Sequence, residues 1–425
     1  MKALKPLRIA VSFILTFLLL LVFADYYRMI PQQLSSILTY FQFIPSLLSF
    51  IVTLSSEGTG FILIAGLTFL AGRIYCSFIC PLGFSQDIFI HTGNKIRKKK
   101  SPGYSKPHNW LFYSVLTISV LSMIYSGTII IIWLDPFSIF GRFISYTVSY
   151  PLIEINNTLT SVLIKHNIFA FHSINIRPST AGIIFSISLY SLIMIISFFK
   201  GRIYCNSICP AGAALSLISK FSYFRIMIDR EKCIRCGRCE DICKSGCIDY
   251  NKWSVDSSRC VSCFNCISKC PNGSISLSRF INYKSKPESL SSNNSAGGAE
   301  ISRLSFLSGL LLMPGVLSPK ENNSTVLIYQ EPLKQKHYNR MQFSTPPGSG
   351  SVQSFNSRCT SCSLCISACP TSVLQPAVLQ YGIHGIMQPF MDFSSGFCNY
   401  DCTICGDICP TDAIKKHSLD DKRKI

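Results

Sequence analysis

Long apolar runs separated by short polar stretches fill the first half of the chain. Four of them approach the ~20 residues that a helix needs to cross a bilayer. They are Ile9–Ala24, Gly60–Tyr75, Trp110–Leu134 and Ala181–Phe199. The pattern predicts an α-helical membrane domain with about four transmembrane helices over residues 1–222.

Two further apolar stretches are interrupted by Pro, Asn and Ser. They lie between Pro31 and Thr53 and between Phe143 and Phe171. Such stretches either lie in the membrane interface or pack as half-helices, and the sequence leaves both alternatives open.

Positive charge is concentrated on one side of the predicted segments. Basic residues precede the first segment and crowd the "NKIRKKK" connection between the second and the third, whereas the loops after the first and third segments hold few. The positive-inside rule therefore predicts that the N-terminus, this connection and the chain after Phe199 are cytoplasmic. No A-x-A cleavage site follows the first segment, so we interpret it as an uncleaved anchor.

Composition favours membrane lipid over nucleic acid as a partner. Apolar residues make up 48% of the 425 positions and charged residues only 14%, although the formal net charge is +19. Most basic residues flank apolar segments, and no helix-turn-helix, zinc-finger or RNA-binding signature is present. We expect no nucleic-acid partner.

Sixteen of the 21 cysteines form four closely spaced groups. Three groups read C-x2-C-x2-C-x3-C and one reads C-x3-C-x2-C-x3-C, which is the spacing of bacterial ferredoxins with two [4Fe–4S] clusters. In such a pair of groups, the last cysteine of one group crosses to the cluster held by the other. The predicted ligands are Cys233, Cys236, Cys239 and Cys270 for cluster one; Cys260, Cys263, Cys266 and Cys243 for cluster two; Cys359, Cys362, Cys365 and Cys409 for cluster three; Cys398, Cys402, Cys405 and Cys369 for cluster four.

Alternatives to this assignment exist at three points. Zinc also accepts four thiolates, but usually from separated C-x2-C pairs. Cys247 competes with Cys243 as the crossing ligand, since Lys244 stands where proline is expected; the x3 spacing favours Cys243 and leaves Cys247 as a buried free thiol. The spacing from Cys398 to Cys405 also occurs in radical-SAM enzymes, but this region is far too short for a barrel of ~250 residues.

The groups predict two small α+β ferredoxin modules, which we call the first module (residues 223–283) and the second module (residues 351–425). Residues 284–350 form a predicted linker that contains the apolar, signal-like segment Ser302–Leu317. Its apolar run of ~14 residues is short for a span, and we expect a short membrane-associated segment.

Four cysteines remain in two near-identical motifs, "GRIYCSFICPLG" from Gly72 and "GRIYCNSICPAG" from Gly201. If each motif lies where a membrane helix ends, its two cysteines fall one turn apart on one face, and proline then turns the chain away. We predict a fifth iron–sulfur centre at the cytoplasmic membrane surface; a dithiol relay and a docking surface for the first module are alternatives. The four residues, called the membrane tetrad below, are Cys76, Cys80, Cys205 and Cys209.

An arginine precedes each pair, at positions 73 and 202. We interpret Arg73 and Arg202 as anchors that snorkel to the membrane surface. Stabilisation of the negative charge of a cluster is the alternative.

The motifs over residues 1–283 resemble the NapH-type membrane quinol dehydrogenase family, which includes the polyferredoxin half of NosR-type proteins. The stretch from "STPPGSGSVQSF" to "CPTDAI" resembles the NapG/MauM type of multi-cluster ferredoxin. The resemblance implies a protein of the bacterial inner membrane that passes electrons from quinol through [4Fe–4S] clusters to a redox protein partner, as a quinol dehydrogenase subunit.

The side of the membrane on which the second module lies, and the function, each leave an alternative open. "SRLSFL" in the linker is similar to a twin-arginine export signal with Leu304 in place of the second arginine. We expect the first module in the cytoplasm and the second in the periplasm. The alternative function is an iron–sulfur accessory, assembly or regulatory factor for a membrane or periplasmic oxidoreductase. No acid–base or nucleophile constellation is present, so no catalytic residue is predicted.

Overall fold

The structure is a computed structural model of the chain. The basic residues Lys98, Lys99, Lys100 and Lys106, and most of the predicted linker with Ser302–Leu317, lie outside the residues that it describes. The described residues are 3–25, 29–53, 58–97, 103–104, 109–125, 129–167, 179–279, 344–394 and 396–423.

The described residues among the first 222 are mainly helical. A π-helical turn, Ile144–Val148, joins α9 to α10. The helices are α1 (Leu4–Ala24), α2 (Gln32–Tyr40), α3 (Phe43–Thr53), α4 (Gly60–Ala71), α5 (Tyr75–Phe78), α6 (Pro81–Ile96), α7 (Asn109–Tyr125), α8 (Ile129–Leu134), α9 (Pro136–Phe143), α10 (Ser149–Lys165), α11 (Thr180–Lys200), α12 (Ile203–Ser207) and α13 (Pro210–Ser219).

The helical prediction is confirmed, but the lengths of the segments differ from it. Within the described ranges, α1 and α11 are long and apolar enough to cross a membrane, with 21 residues each, and α2 with α3 would form a third span bent by 93°. The predicted segment Gly60–Tyr75 is shorter, because Gly72 takes a φ of 78° and ends α4 after 12 residues. Within the predicted segment Trp110–Leu134, the described residues belong to α7 and α8.

The helices bury polar residues and expose apolar ones, as expected of a domain surrounded by lipid. On α1, Ser12 is 1% exposed while Phe13 is 55% exposed. Lipid provides no hydrophobic drive for helices to associate, so they approach closely through small residues. At Gly93 of α6, a Cβ atom would lie 2.7 Å from the Phe198 carbonyl oxygen of α11.

The first module packs at the N-terminal end of α1. Leu4 joins its apolar core, and the backbone N–H of Arg202 donates to the Lys244 carbonyl at 2.9 Å. The Ser262 hydroxyl donates to the Ala71 carbonyl at 3.0 Å. The elements are β1 (Phe224–Ile228), α14 (Arg238–Asp241), β2 (Ile248–Asp249), β3 (Ser254–Val255), α15 (Asn265–Lys269) and β4 (Ile275–Arg279), with β1 antiparallel to β4 and β2 antiparallel to β3.

The second module packs at the C-terminal end of α1. Cys362 lies in one apolar cluster with Phe23 of α1 and Phe137 of α9. The Ser367 hydroxyl donates to the Ser145 hydroxyl at 2.7 Å. The elements are α16 (Val352–Arg358), α17 (Leu364–Ser367), β5 (Leu374–Pro376), a 3₁₀ turn (Ile383–Gly385), β6 (Pro389–Met391), α18 (Ile404–Asp407) and α19 (Leu419–Lys422), with β5 antiparallel to β6.

The two modules therefore contact opposite ends of one helix. A helix of 21 residues is about 30 Å long. The hydrocarbon core of a bilayer is also about 30 Å thick. The fold separates the modules by the thickness of a membrane while keeping both in contact with the helical domain.

The docking of the second module generates a testable prediction. In Gly141→Ala, the added methyl group would lie 2.5 Å from the Phe23 ring and 2.7 Å from the Cys362 carbonyl oxygen. Overpacking of this kind lowers the stability of the packed state by about 1–3 kcal/mol. We expect the backbone amides of residues 362–368 to exchange hydrogen roughly tenfold faster, since each 1.4 kcal/mol is a factor of ten.

Gly66→Ala is the matched control, because no atom lies within 4 Å of the methyl group that it adds to α4. Hydrogen–deuterium exchange with mass spectrometry reports both variants. Equal protection of residues 362–368 in the two variants would contradict the docking described here.

Candidate iron–sulfur sites

Three of the four predicted ligand sets each line one cavity. The cavities belong to the sets of clusters one, two and four, and each is lined by all four predicted ligands of its set. The cysteines are Cys233, Cys236, Cys239 and Cys270 in the first cavity, Cys243, Cys247, Cys260, Cys263 and Cys266 in the second, and Cys369, Cys398, Cys402 and Cys405 in the third.

The set predicted for cluster three is also brought together. Burial raises the pKa of the Cys365 thiol well above its usual range, and the neighbouring Cys362, Cys359 and Cys409 raise it further. Cys362 and Cys359 are themselves buried. This set lies nearest to the membrane domain, because Cys362 packs against α1 and α9.

The cysteine loops share a backbone conformation that suits an anionic group. In three of the four groups, the second and fourth residues after the first cysteine have positive φ. Alternation of right- and left-handed residues points successive N–H groups into a concave nest, which is a common feature of Fe–S sites. The residues are Arg235 and Gly237, Ser262 and Phe264, and Ser361 and Ser363, with φ between 50° and 69°.

Cys247 lies in the cavity of the cluster-two set. Its Sγ is 3.5 Å from the Sγ of Cys243, and it is buried. The hydrogen bond from Cys247 lowers the pKa of Cys243 to about 6, which favours Cys243 as the thiolate. Both thiols face the same space, so ligation by Cys243 stays a prediction.

Among the described residues, no three His, Cys, Asp or Glu side chains are arranged to hold a single metal ion. A [4Fe–4S] cluster takes one thiolate on each of four irons, so its ligands stand farther apart than those that share one ion. The cysteine-lined cavities are therefore the places in the structure where such a cluster would bind.

The membrane tetrad is buried in one apolar core cluster. Cys76, Cys80, Cys205 and Cys209 are each 4–5% exposed. The expectation that each pair lies on the last turn of a membrane helix is wrong, because α4 and α11 end at the positive-φ glycines that begin the motifs, before the cysteines are reached. In each motif, the first cysteine lies on a short helix (α5 or α12) and the second is the N-cap of the next helix, with proline at the first helical position.

Each arginine of the two motifs binds the other motif. Arg73 Nη2 donates to the Cys205 carbonyl at 2.7 Å, and Arg202 Nη1 donates to the Cys76 carbonyl at 2.6 Å. Both arginine side chains are 0% exposed. The interpretation of Arg73 and Arg202 as snorkelling anchors is therefore wrong: they point inward and join the two halves of the tetrad.

The glycine that ends each motif is required by the same backbone. A Cβ atom on Gly83 would lie 2.3 Å from the Cys76 carbonyl oxygen, and one on Gly212 would lie 2.3 Å from the Cys205 carbonyl oxygen. Any side chain there would displace the carbonyl that accepts the crossing arginine. This explains why the repeated motif extends from glycine to glycine.

A buried carboxylate binds three cations beside the tetrad. Asp87 accepts Arg8 at 2.6 Å, Arg202 at 2.7 Å and Lys244 at 3.0 Å. Burial alone would raise the pKa of Asp87, but the attraction of Arg202, Lys244 and Arg8 outweighs it and holds that pKa well below its usual range. With Arg73, three buried arginines and the partly buried Lys244 lie around the tetrad, where Asp87 is, among the described residues, the one carboxylate that pairs with them.

Unsatisfied donors accompany this excess of charge. Among the described residues, the buried Nε of Arg73 and Nε2 of Gln86 have no hydrogen-bond partner in the protein. Gln86 Oε1 meanwhile accepts from the Cys205 thiol at 3.1 Å. Each buried donor without a partner destabilises the folded protein by about 1–3 kcal/mol. Four thiols, excess positive charge and free donors fit an anionic iron–sulfur centre.

Comparison with known proteins agrees with this chemistry. A family described as "4Fe-4S binding domain" matches residues 57–100 and 183–227, which contain the two halves of the tetrad. A family described as "4Fe-4S dicluster domain" matches residues 232–274. The chain is similar to the NapH-type ferredoxin proteins. The resemblance of the second module to the NapG/MauM type stays a prediction.

Three relatives illustrate the similarity. An uncharacterised protein of Methanocaldococcus jannaschii is 26% identical over 179 residues, 42% of this chain and 53% of that protein. The methylamine utilization ferredoxin-type protein MauN of Methylobacillus flagellatus is 25% identical over 186 residues, 43% and 53% of the two chains. The ferredoxin-type protein NapH of Escherichia coli is 25% identical over 189 residues, 44% and 52%. The chain thus spans about half the length of these relatives, and no solved structure matches it.

The charge cluster generates the second prediction. Asp87→Asn leaves three cations without their carboxylate, and loss of one partner from a buried ion pair costs about 3–5 kcal/mol. We expect the apparent Tm of this variant in detergent, measured by tryptophan fluorescence, to be clearly lower than that of the unsubstituted protein.

Asp229→Asn serves as the control. It removes a carboxylate that pairs with Lys232 at 3.5 Å on the surface, where such pairs contribute at most about 1 kcal/mol. If the two variants melted at the same temperature, the charge cluster would not hold the tetrad in place.

Proposed function

We propose that the protein is a membrane-bound electron carrier that passes electrons between the quinone pool and a redox protein partner. Iron–sulfur electron transfer is supported by the 4Fe–4S domain matches and by the ferredoxin-type relatives. The link to quinone and the place in the bacterial inner membrane are inferred, and the apolar helices are compatible with that membrane.

The observation that carries the proposal is the order of the cysteine sets through the molecule. Arg73 lies between the tetrad and the cluster-two loop: its Nη2 is 3.7 Å from the Cys76 Sγ, and its Nη1 donates to the Ser258 carbonyl at 3.1 Å. On the opposite side of the tetrad, the Tyr204 hydroxyl donates to the Leu134 carbonyl at 2.6 Å. The helix that follows, α9, contacts Cys362 at Gly141.

These contacts support a path of five centres, in the order one, two, tetrad, three, four. We assign the ligands of clusters one to four as the spacing predicts, and Cys76, Cys80, Cys205 and Cys209 to a fifth centre. When bound, such clusters take up and release electrons at potentials that depend on charge, hydrogen bonds and exposure. The excess positive charge and the free donors at the tetrad stabilise added negative charge there.

The sidedness follows from the same arrangement. Because the two modules contact opposite ends of α1, a bilayer that contains α1 separates them. With the positive-inside rule, we place the first module in the cytoplasm and the second in the periplasm. Residues 1–222 are then the membrane domain and residues 284–350 the linker between the modules.

Loss of one tetrad cysteine tests the fifth centre. We expect Cys76→Ser, purified anaerobically in detergent, to contain about four iron atoms fewer per chain than the unsubstituted protein. Chemical iron analysis against protein concentration gives this number directly. The EPR spectrum of the dithionite-reduced protein shows whether the other clusters persist.

Ser77→Ala is the matched control, since Ser77 is also buried on α5 and only its hydroxyl is lost. Its iron content should equal that of the unsubstituted protein. Full iron content in Cys76→Ser would refute the fifth centre, and the absence of dithionite-reducible clusters from the unsubstituted protein would refute the electron carrier.

A further inference from the structure

A large cavity separates the bent pair α2–α3 from the second module. Its volume is about 480 Å³. One wall is formed by α2 and α3, and the other by residues at and after α18, including Cys409. Among the predicted cluster ligands, Cys409 alone lines it, so the cavity is distinct from the three cysteine-lined cavities.

Two hydrogen bonds close the ends of this cavity. The Ser49 hydroxyl of α3 donates to the Asp412 carboxylate at 2.5 Å. At the start of α2, Gln32 Nε2 donates to the Asp407 carbonyl at 3.2 Å. The walls are thus fixed to each other, and the space between them is part of the fold.

The lining combines polar and apolar surface in the manner of a binding site for a small amphiphile. Ser36, Thr39 and Tyr40 bring hydroxyl groups, while Ile37 and Phe41 bring apolar surface. Ligand pockets typically have volumes of about 300–1,000 Å³, with a few polar groups on an apolar lining. Ile37 is 53% exposed on the side of α2 that the protein does not cover, which leaves room for an apolar tail.

The position of the cavity relative to the cysteines is the decisive feature. Cys409, the crossing cysteine assigned to cluster three, lies in its wall. Asp412, three residues further on, brings a carboxylate into the same wall. A predicted cluster ligand and a carboxylate therefore line the same space.

We propose that this cavity binds the head group of a membrane quinone, with its tail beside Ile37 and its ring between α2 and the Cys409 loop. This inference rests on the proposed function and names the site at which that function would begin. It places the site at the second module, at the end of the membrane domain opposite to the first module.

The reaction at this site balances as follows. The bound hydroquinone breaks its two O–H bonds and becomes the quinone, losing two electrons and two protons. Clusters three and four, when held by their assigned cysteines, would each take up one electron. One proton passes to the Asp412 carboxylate and the other to water at the open side of the cavity. The reverse steps reduce a bound quinone when the clusters are reduced.

Photolabelling of the full chain in lipid nanodiscs tests the site. The probe is an azido-ubiquinone, and mass spectrometry locates its adducts. We expect adducts within residues 32–49 and 407–416. We expect Ser36→Phe, which fills the cavity, to reduce this labelling about tenfold, equivalent to ~1.4 kcal/mol of binding free energy.

Ser188→Phe is the matched control. Both serine hydroxyls bond to the backbone carbonyl three residues earlier, at 2.9 Å for Ser36 and 3.0 Å for Ser188, and both side chains are exposed on apolar helices. Ser188→Phe should keep the labelling of the unsubstituted protein. Labelling outside residues 32–49 and 407–416, or equal labelling of the two variants, would overturn the proposal.

A second measurement separates this site from the function on which it rests. Menadiol is added to each anaerobic protein, and the EPR signals of reduced clusters are recorded. Reduction in the unsubstituted protein that is slowed in Ser36→Phe supports the site. Equal reduction in both refutes the site and leaves the electron carrier intact, whereas clusters that dithionite reduces but menadiol does not would refute the quinone function itself.

Discussion

The membrane domain depends on the burial of two arginines that each bind the opposite half of the tetrad. A guanidinium removed from water is costly unless it is paired and hydrogen-bonded. Arg202 meets this requirement through Asp87 and two carbonyls, while Arg73 binds carbonyls and Asn206 and keeps one buried donor free. One carboxylate cannot neutralise three buried arginines and the partly buried Lys244, and an anionic centre on the four cysteines would supply the missing negative charge.

That constraint also connects the parts of the molecule. Lys244 of the first module shares Asp87 with Arg8 of α1, so the charge cluster that holds the tetrad also holds the module. At the other end of α1, docking depends on close packing instead of charge: Gly141 admits the backbone of Cys362. The second module can therefore be loosened without disturbing the tetrad.

Local patterns in the sequence predicted the features that depend on local spacing. The grouping of cysteines follows from positions a few residues apart, and α1 and α11 follow from apolar runs of sufficient length. The sequence could not reveal the inward orientation of Arg73, because its partners at Cys205 and Ser258 are more than 130 residues away. The sequence did not predict the cavity beside Cys409 for the same reason, since its walls come from α2–α3 and from the far end of the chain. The one signal in this region was the apolar run after Pro31, which is interrupted by polar residues and proline.

The proposed path of centres would carry electrons from one side of a membrane to the other within one chain. Sealed proteoliposomes with trapped ferricyanide provide the test: a membrane-impermeant reductant is added outside, and the absorbance of ferricyanide is followed. We expect the unsubstituted protein to bleach the trapped ferricyanide and Cys76→Ser, with the other clusters still loaded, to leave it oxidised. Fully loaded protein that leaves the ferricyanide oxidised, or a Cys76→Ser variant that bleaches it equally fast, would show that electrons do not follow this path.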